Sequence, residues 1–150
     1  KENVDLRILG LDLGDKTVGV AVSDPVGWTA QGVEIIRRNN PNEHKQSLGR
    51  IAELIDEYGV ETIVLGYPKN LDNSEGTRCE KTKVYKDYLE RRFQKIPVIL
   101  WDERFSTVAA NNSMMEAGLS HEKRKSVIDK MAAVHILQGY LDSKRIEGEK

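Results

Sequence analysis

RILGLDLGDKTVGVAVSD, residues 7–24, holds two apolar runs separated by a few turn-forming residues. Ile8, Leu9 and Leu11 make the first run, Gly14-Asp15-Lys16 supplies turn chemistry, and Val18 to Val22 resumes as Val-Gly-Val-Ala-Val. Two β-rich runs around a Gly-containing break predict a hairpin. One carboxylate, Asp12, sits near the end of the first run. An acid at the end of a buried strand is costly unless hydrogen bonds or a cation compensate it. Asp and Gly are also ordinary turn residues, so an isolated Asp-x-Gly reads as a turn cap. Two further acids downstream, each at the end of or inside an otherwise buried element, argue for more.

Outward from the hairpin, a third strand is expected near Gly32 to Arg37, after the Asp24-Pro25 turn and Trp28. Asn40 with Pro41 can start a helix. Leu48, Ile51, Ala52, Ile55 and Tyr58 then recur at helical spacing, and Gly59 is placed to stop it. Thr62 to Leu65 read as an apolar strand ending in Gly66, followed by a turn-rich loop over 67–74. A second helix is expected from about Glu75 to Gln94, with Val84, Tyr85, Tyr88, Leu89 and Phe93 as its apolar face. Pro97 separates it from a strand, Val98 to Trp101, that runs into Asp102-Glu103-Arg104. Ser106 or Thr107 can cap a short helix to Ala117. A last helix follows Ser120 to about Ser143, with Val127, Met131, Val134 and Leu141 along one face. Three strands followed by alternating helices and strands predict an α/β fold, a five-stranded mixed sheet flanked by helices. In such sheets ligands sit at the C-terminal ends of the parallel strands. Residues 1–150 read as a single domain, with 144–150 a frayed tail.

The 24 acids and 23 bases leave a net charge of -1, so any nucleic-acid contact must come from local patches. A single cysteine, Cys79, excludes an intramolecular disulfide and a cysteine-based zinc cluster; it fits a reducing cytoplasm and a packing role. The polar start KENVDLR has no signal-peptide core, and no apolar run is long enough to span a membrane. A soluble, cytoplasmic protein with no membrane partner is expected.

The two further acids are Glu103, just past the fifth strand, and Asp129, inside the apolar stretch VIDKMAAVHIL. Asp12 and Glu103 project from one edge if their strands are parallel neighbours. Ala132 and Ala133 let the last helix approach another element closely, which would bring Asp129 to the same rim. Three such carboxylates repel one another unless a cation joins them. Mg²⁺ and Mn²⁺ prefer carboxylate and water ligands. A shared carboxylate can hold two such ions about 3.5–4 Å apart for phosphodiester hydrolysis. The alternative is that Glu103 pairs with Arg104 or a lysine while Asp129 pairs with Lys125, since charge pairs at helical spacing are common.

The stretches GLDLGDKTVGVAVSD, VLGYPKNLDNSEG, LWDERFST and KSVIDKMAAVHILQGYLDS resemble, in that order, the motifs of the YqgF/RuvX family. Its members are small bacterial RNase H-like proteins, described as Holliday junction resolvases and as nucleases that mature the 16S ribosomal RNA precursor. The resemblance runs from about Arg7 to Ser143. It implies an RNase H-like sheet and a metal-dependent nuclease, with Asp12, Glu103 and Asp129 as catalytic residues and ligands of two Mg²⁺ or Mn²⁺ ions. Asp102 is held in reserve, because a shift of one residue at a strand end would exchange its role with Glu103. Asn73 stands where the family usually has glycine, and asparagine also tolerates positive φ. The implied substrate is structured RNA, pre-16S rRNA above all, with branched DNA at four-way junctions as the alternative. A non-catalytic nucleic-acid-binding module is the third reading. Asp-x-Gly before a hairpin also opens the sugar-kinase, actin and Hsp70-type ATPases, but those need a second lobe that 150 residues cannot supply. Oligomeric state stays open; symmetric cleavage of a junction would call for a dimer.

Basic residues cluster at Arg37-Arg38, Arg78 to Lys86, Arg91-Arg92-Lys95 and Lys123-Arg124-Lys125. Charge runs are usually solvated helix faces. Lys123, Arg124 and Lys125 differ in lying about one helical turn before Asp129, where phosphate contacts would position a backbone without reading sequence. Lys69 and Asn70, after the fourth strand, are further nucleic-acid candidates, and Arg104 can orient a phosphate or brace Glu103. His121 reads as an exposed histidine or a proton shuttle, His135 as a core or rim residue. Trp28 and Trp101 read as packing residues, which leaves base stacking unsupported.

Overall fold

β1 (Arg7–Leu13) sends Leu9, Leu11 and Leu13 to one face of a sheet and Ile8, Gly10 and Asp12 to the other, the alternation every strand imposes. The computed structural model describes residues 7–14, 16–39, 44–68, 76–102 and 121–148, apart from the side chains of 77, 121–130 and 145–148. β1 pairs antiparallel with β2 (Thr17–Ser23), which pairs antiparallel with β3 (Ala30–Arg37). On its other side β1 runs parallel to β4 (Val60–Tyr67), and β4 runs parallel to β5 (Val98–Asp102). The order β3-β2-β1-β4-β5 is the mixed five-stranded sheet that the pattern predicts. One expectation fails. The first and fifth strands are not neighbours, because β4 lies between them. The helical connection after β3 carries the chain past β2 to the free side of β1, where β4 docks, and the next helical connection then sets β5 beside β4.

The first face is covered by α1 (Lys45–Tyr58) and α2 (Thr77–Arg92). Leu48, Ile51 and Leu54 of α1 and Tyr85 and Leu89 of α2 join Leu9, Leu11, Val18, Val20, Ile63 and Leu65 in the larger core. Each fully buried Leu or Ile there contributes roughly 1.5–3 kcal/mol. α1 ends at Gly59 in the left-handed conformation (φ 65°), its N–H closing on the Ile55 carbonyl, as its place in the pattern predicts. The Asn40-Pro41 start lies outside the described residues. On α2 the expected apolar face is rotated. Tyr85 and Leu89 are buried, with Thr82 and Cys79 about one and two turns before Tyr85 on the same stripe, while Val84 (49 % exposed) and Tyr88 (40 %) look outward. A helix this polar has only a narrow buried stripe, and residues 84 and 88 fall one step of about 100° outside it.

The opposite face carries α3 (His121–Gly148), which runs past Ser143, where the apolar pattern ended. The short helix expected between Ser106 and Ala117 lies outside the described residues. α3 buries Ala132, Ala133, Ile136, Leu137, Tyr140 and Leu141, so its core stripe differs from the one expected: Met131 and Val134 lie at its margin. The small residues do allow a close approach. A Cβ built on Gly10 would lie 2.8 Å from Leu137 Cβ and 3.2 Å from the Ala133 carbonyl oxygen. Trp101 stacks edge-on against Tyr140, with ring centroids 5.8 Å apart, and so packs as expected. Trp28 does not: it is 59 % exposed on the β2–β3 turn, which Asp24 closes by accepting the Trp28 N–H at 2.7 Å. No helix among the described residues is long and apolar enough to cross a membrane.

Because nothing flexible separates Gly10 from α3, Gly10→Ala should destabilise the protein by about 1–3 kcal/mol, the usual cost of overpacking a filled core. Urea unfolding of the variant would show this as a lower midpoint. An unchanged midpoint would mean that α3 can lift from the sheet.

Candidate active site at the end of β1

Asp12 stands where β1 parts from β4. The β1–β4 ladder ends at Leu11↔Leu65, whereas β4 stays with β5 as far as Tyr67↔Asp102 and β1 stays with β2 to Leu13↔Val18. A fork between parallel strands at their C-terminal ends is where open α/β sheets bind ligands. Asp12 is half-buried and shares the α3 face with Gly10. Its partner on β2 is Gly19, and the residue after Leu65 on β4 is Gly66. Neither glycine has a side chain to crowd the carboxylate at that level.

α3 crosses this face antiparallel to β1. Gln138 accepts the Ala30 N–H at 2.9 Å and donates to the Trp28 carbonyl at 3.0 Å, which fixes it near the start of β1. There Ser23 Oγ, on the residue paired with Ala30, accepts the Ile8 N–H at 2.8 Å. Ala133 and Leu137 ride over Gly10. Moving back along α3 therefore leads toward Asp12, and the helix position of Asp129 is one turn before Ala133.

The hairpin behind Asp12 is tied down from below. Gly14 N–H donates to the Thr17 carbonyl at 2.8 Å, and Arg38 N–H donates to the Lys16 carbonyl at 2.7 Å. The Arg38 guanidinium, only 5 % exposed, donates through Nη2 to the Gly14 carbonyl. Nη1 lies 3.4 Å from His44 Nδ1, and the guanidinium carbon lies 5.9 Å from the Tyr85 ring centre. Tyr85 is itself held by a 2.8 Å hydrogen bond between its hydroxyl and Ser47 Oγ. From α2, Arg78 Nη2 donates to the Leu13 carbonyl at 3.4 Å. In the sequence Arg38 and Arg78 stand out only as members of basic clusters. A signal for Arg38 was present: Ile36 faces the core, and residue 38 follows it on the same side of a period-two strand.

Of the expected site residues, Asp12 is placed at the fork. Glu103, Arg104, Lys69 and Asn70 lie outside the described residues. Asp129, Lys123, Arg124, Lys125 and His121 are placed only as positions in the first turns of α3. Asp102, in register with Tyr67, falls by alternation on the α1–α2 face, opposite Asp12, so the structure does not bring those two together. His135 is half-buried, and its buried Nε2 has no hydrogen-bond partner among the described residues. Cys79 is fully buried, its thiol directed to the Pro68 carbonyl at 3.5 Å, as a packing residue should be. Among the described residues no three His, Cys, Asp or Glu side chains gather as a metal cluster.

The sheet order with α3 across one face is the RNase H-like fold, and solved structures share it. Thermus thermophilus RuvC in complex with a Holliday junction substrate superposes with a TM-score of 0.55 at 17 % identity, covering 93 % of this chain and 96 % of that one. The chain belongs to the RuvX family, whose model, described as a Holliday junction resolvase, matches residues 6–143. A relative from Agathobacter rectalis is 61 % identical over 137 residues, 91 % of this chain and 95 % of its own. One from Acetivibrio thermocellus is 52 % identical over 139 residues, 93 % and 97 % of the two chains. Both carry the name "Putative pre-16S rRNA nuclease".

Burial holds the His44 imidazole below its ordinary 6.5, and the Arg38 charge acts in the same direction. The unfolded chain takes up this proton near pH 6.5, while folded His44 resists it to lower pH. Unfolding therefore binds a proton in that window, and stability falls as pH drops below about 6.5 until folded His44 is itself protonated. Urea midpoints at pH 7.5 and 5.5 should differ less for His44→Gln than for the parent. Equal differences would show that His44 does not contribute.

Proposed function

We propose that the chain is a metal-dependent endonuclease that hydrolyses phosphodiester bonds in structured nucleic acid. On this reading it acts in the cytoplasm on the 16S rRNA precursor, as a single nuclease domain over 1–150. The observation that carries this reading is the position of Asp12: a half-buried carboxylate at a strand fork, flanked by two glycines, in a chain of the RuvX family. The approach of α3 supports Asp129 as a second ligand. The alternation that gives Asp102 to the opposite face favours Glu103 as the third.

Hard carboxylate oxygens are the donors that Mg²⁺ and Mn²⁺ select, so Asp12, Glu103 and Asp129 suit two such ions. When bound, these ions supply charge neutralisation at the phosphate and activation of water. The protein's part is placement. β1 and β2 hold Asp12 at the rim, Gly19 and Gly66 leave space beside it, and α3 carries the position of Asp129 one turn before Ala133. Lys123, Arg124 and Lys125, about one turn earlier on α3, bind phosphates of the substrate backbone, as do Lys69 and Asn70; Arg104 orients the phosphate or braces Glu103. A second reading, cleavage of four-way DNA junctions, is favoured by the description of the family model.

The test offers a structured precursor-rRNA fragment and a four-way DNA junction to the protein in Mg²⁺ or Mn²⁺. The RNA should be cleaved at the higher kcat/KM, and chelation should abolish cleavage. Asp12→Asn should lower kcat by about 100-fold or more, the scale on which loss of one preorganised electrostatic group acts. Binding measured in Ca²⁺ should change little. Cleavage that survives Asp12→Asn would overturn the site, and faster cleavage of the junction would favour the second reading.

Replacing Lys123, Arg124 and Lys125 together by Ala should give the reverse pattern. Substrate binding should weaken, and its log-log salt slope should flatten by up to about one unit per lost phosphate contact. Cleavage at saturation should fall far less than in Asp12→Asn. An unchanged slope would make this turn a solvated helix start.

A further inference from the structure

We propose that Arg38 and Arg78 are positioning residues of the active site, gripping the carbonyls of the two residues that follow Asp12, Arg38 from the β3 side and Arg78 from the β4 side. The proposal rests on the nuclease reading of Asp12. Up to Leu11, β1 is laddered on both sides; from Asp12 onward the ladder to β4 has stopped and β2 alone continues. At this point guanidinium groups take hold. Arg78, from the first turn of α2 beyond β4, donates to the Leu13 carbonyl. Arg38, one residue past β3, donates to the Gly14 carbonyl. The fork that opens space at Asp12 also frees the strand end that carries it, and the two arginines restore a hold on that end without refilling the space.

The two are not equivalent. Arg38 is enclosed by the hairpin, His44 and Tyr85, and its main-chain N–H is also tied to Lys16, so it cannot swing out to a substrate. Arg78 is exposed and reaches the strand with one nitrogen. Charge-assisted hydrogen bonds are roughly twice as strong as neutral ones. The planar fork also fixes direction in a way that a lysine ammonium cannot. Direction matters here because a misplacement of about 1 Å at a reacting centre can cost 100-fold in rate.

The experiment compares the parent, Arg78→Ala, Arg38→Lys and Asp12→Asn. It reads kcat and KM on the precursor-rRNA fragment, Mn²⁺ affinity by calorimetry without nucleic acid, and RNA binding in Ca²⁺ across salt concentrations. For Arg78→Ala we expect a parent-like melting temperature, kcat lower by about 10-fold or more, weaker Mn²⁺ binding, and unchanged RNA affinity and salt slope, the pattern of lost support around a metal ligand. Arg38→Lys should move kcat and Mn²⁺ affinity the same way. Should it fail to fold, Arg78→Ala alone decides. Weaker RNA binding with a flattened slope and parent-like kcat in Arg78→Ala would make Arg78 a phosphate contact and overturn the clamp. Parent-like Mn²⁺ affinity in both variants would overturn it too. Asp12→Asn separates the two levels. If it leaves Mn²⁺ uptake and cleavage intact, the nuclease reading falls and takes the clamp with it; if it abolishes both while the arginine variants behave as the parent, only the clamp falls.

Discussion

The absence of a side chain at Gly10 is the constraint on which the rest of this architecture depends. It lets the backbone of α3 settle onto the middle of the sheet, with Ala133 and Leu137 over the strand that carries Asp12. A larger residue would lift the helix away from the strand that carries Asp12. The sheet divides the interior into two cores, one of large aliphatic residues beneath α1 and α2 and a thinner one beneath α3, where this contact lies. Close packing on the thin side is what brings two chain segments more than a hundred residues apart to a common rim.

The site follows from where ladders end. Sheets satisfy backbone groups by pairing, and a site needs somewhere for pairing to stop without leaving the chain loose. Here β1 gives up its parallel partner one residue before Asp12 while keeping its antiparallel one. Main-chain bonds across the hairpin and the arginine contacts behind it take over part of the task. Rigidity and access are thus supplied by different groups.

Much of this was legible in the residues. The hairpin, the α1 stop at Gly59 and the importance of Asp12 follow from local chemistry, because turns, caps and strand-end acids are decided by near neighbours. Strand order was less accessible, since nothing local says that β4 must separate β1 from β5. The faces of α2 and α3 were misjudged for a related reason. Val84, Tyr88 and Met131 are apolar, but burial depends on which stripe the sheet meets, and the narrow stripes here hold small or polar residues such as Cys79, Thr82 and Ala133. Trp28 shows the same limit, an aromatic left on the surface because its turn projects beyond the sheet. Arg38 is the converse, a charged residue taken inside because its strand position faces inward.

β3 forms one outer edge of the sheet, and an eight-residue edge is an open template for another strand. Its ladder to β2 slips register between Val20 and Ala21, which bends it out of the flat geometry that a stacking partner needs. Glu34, tied to Arg50 of α1 at 2.6 Å, and Arg37 at its end place charge along the same edge. An edge that is bent and charged in this way is a poor template for edge-to-edge pairing of copies of the chain, and the same strand runs on into Arg38, which holds the hairpin behind Asp12.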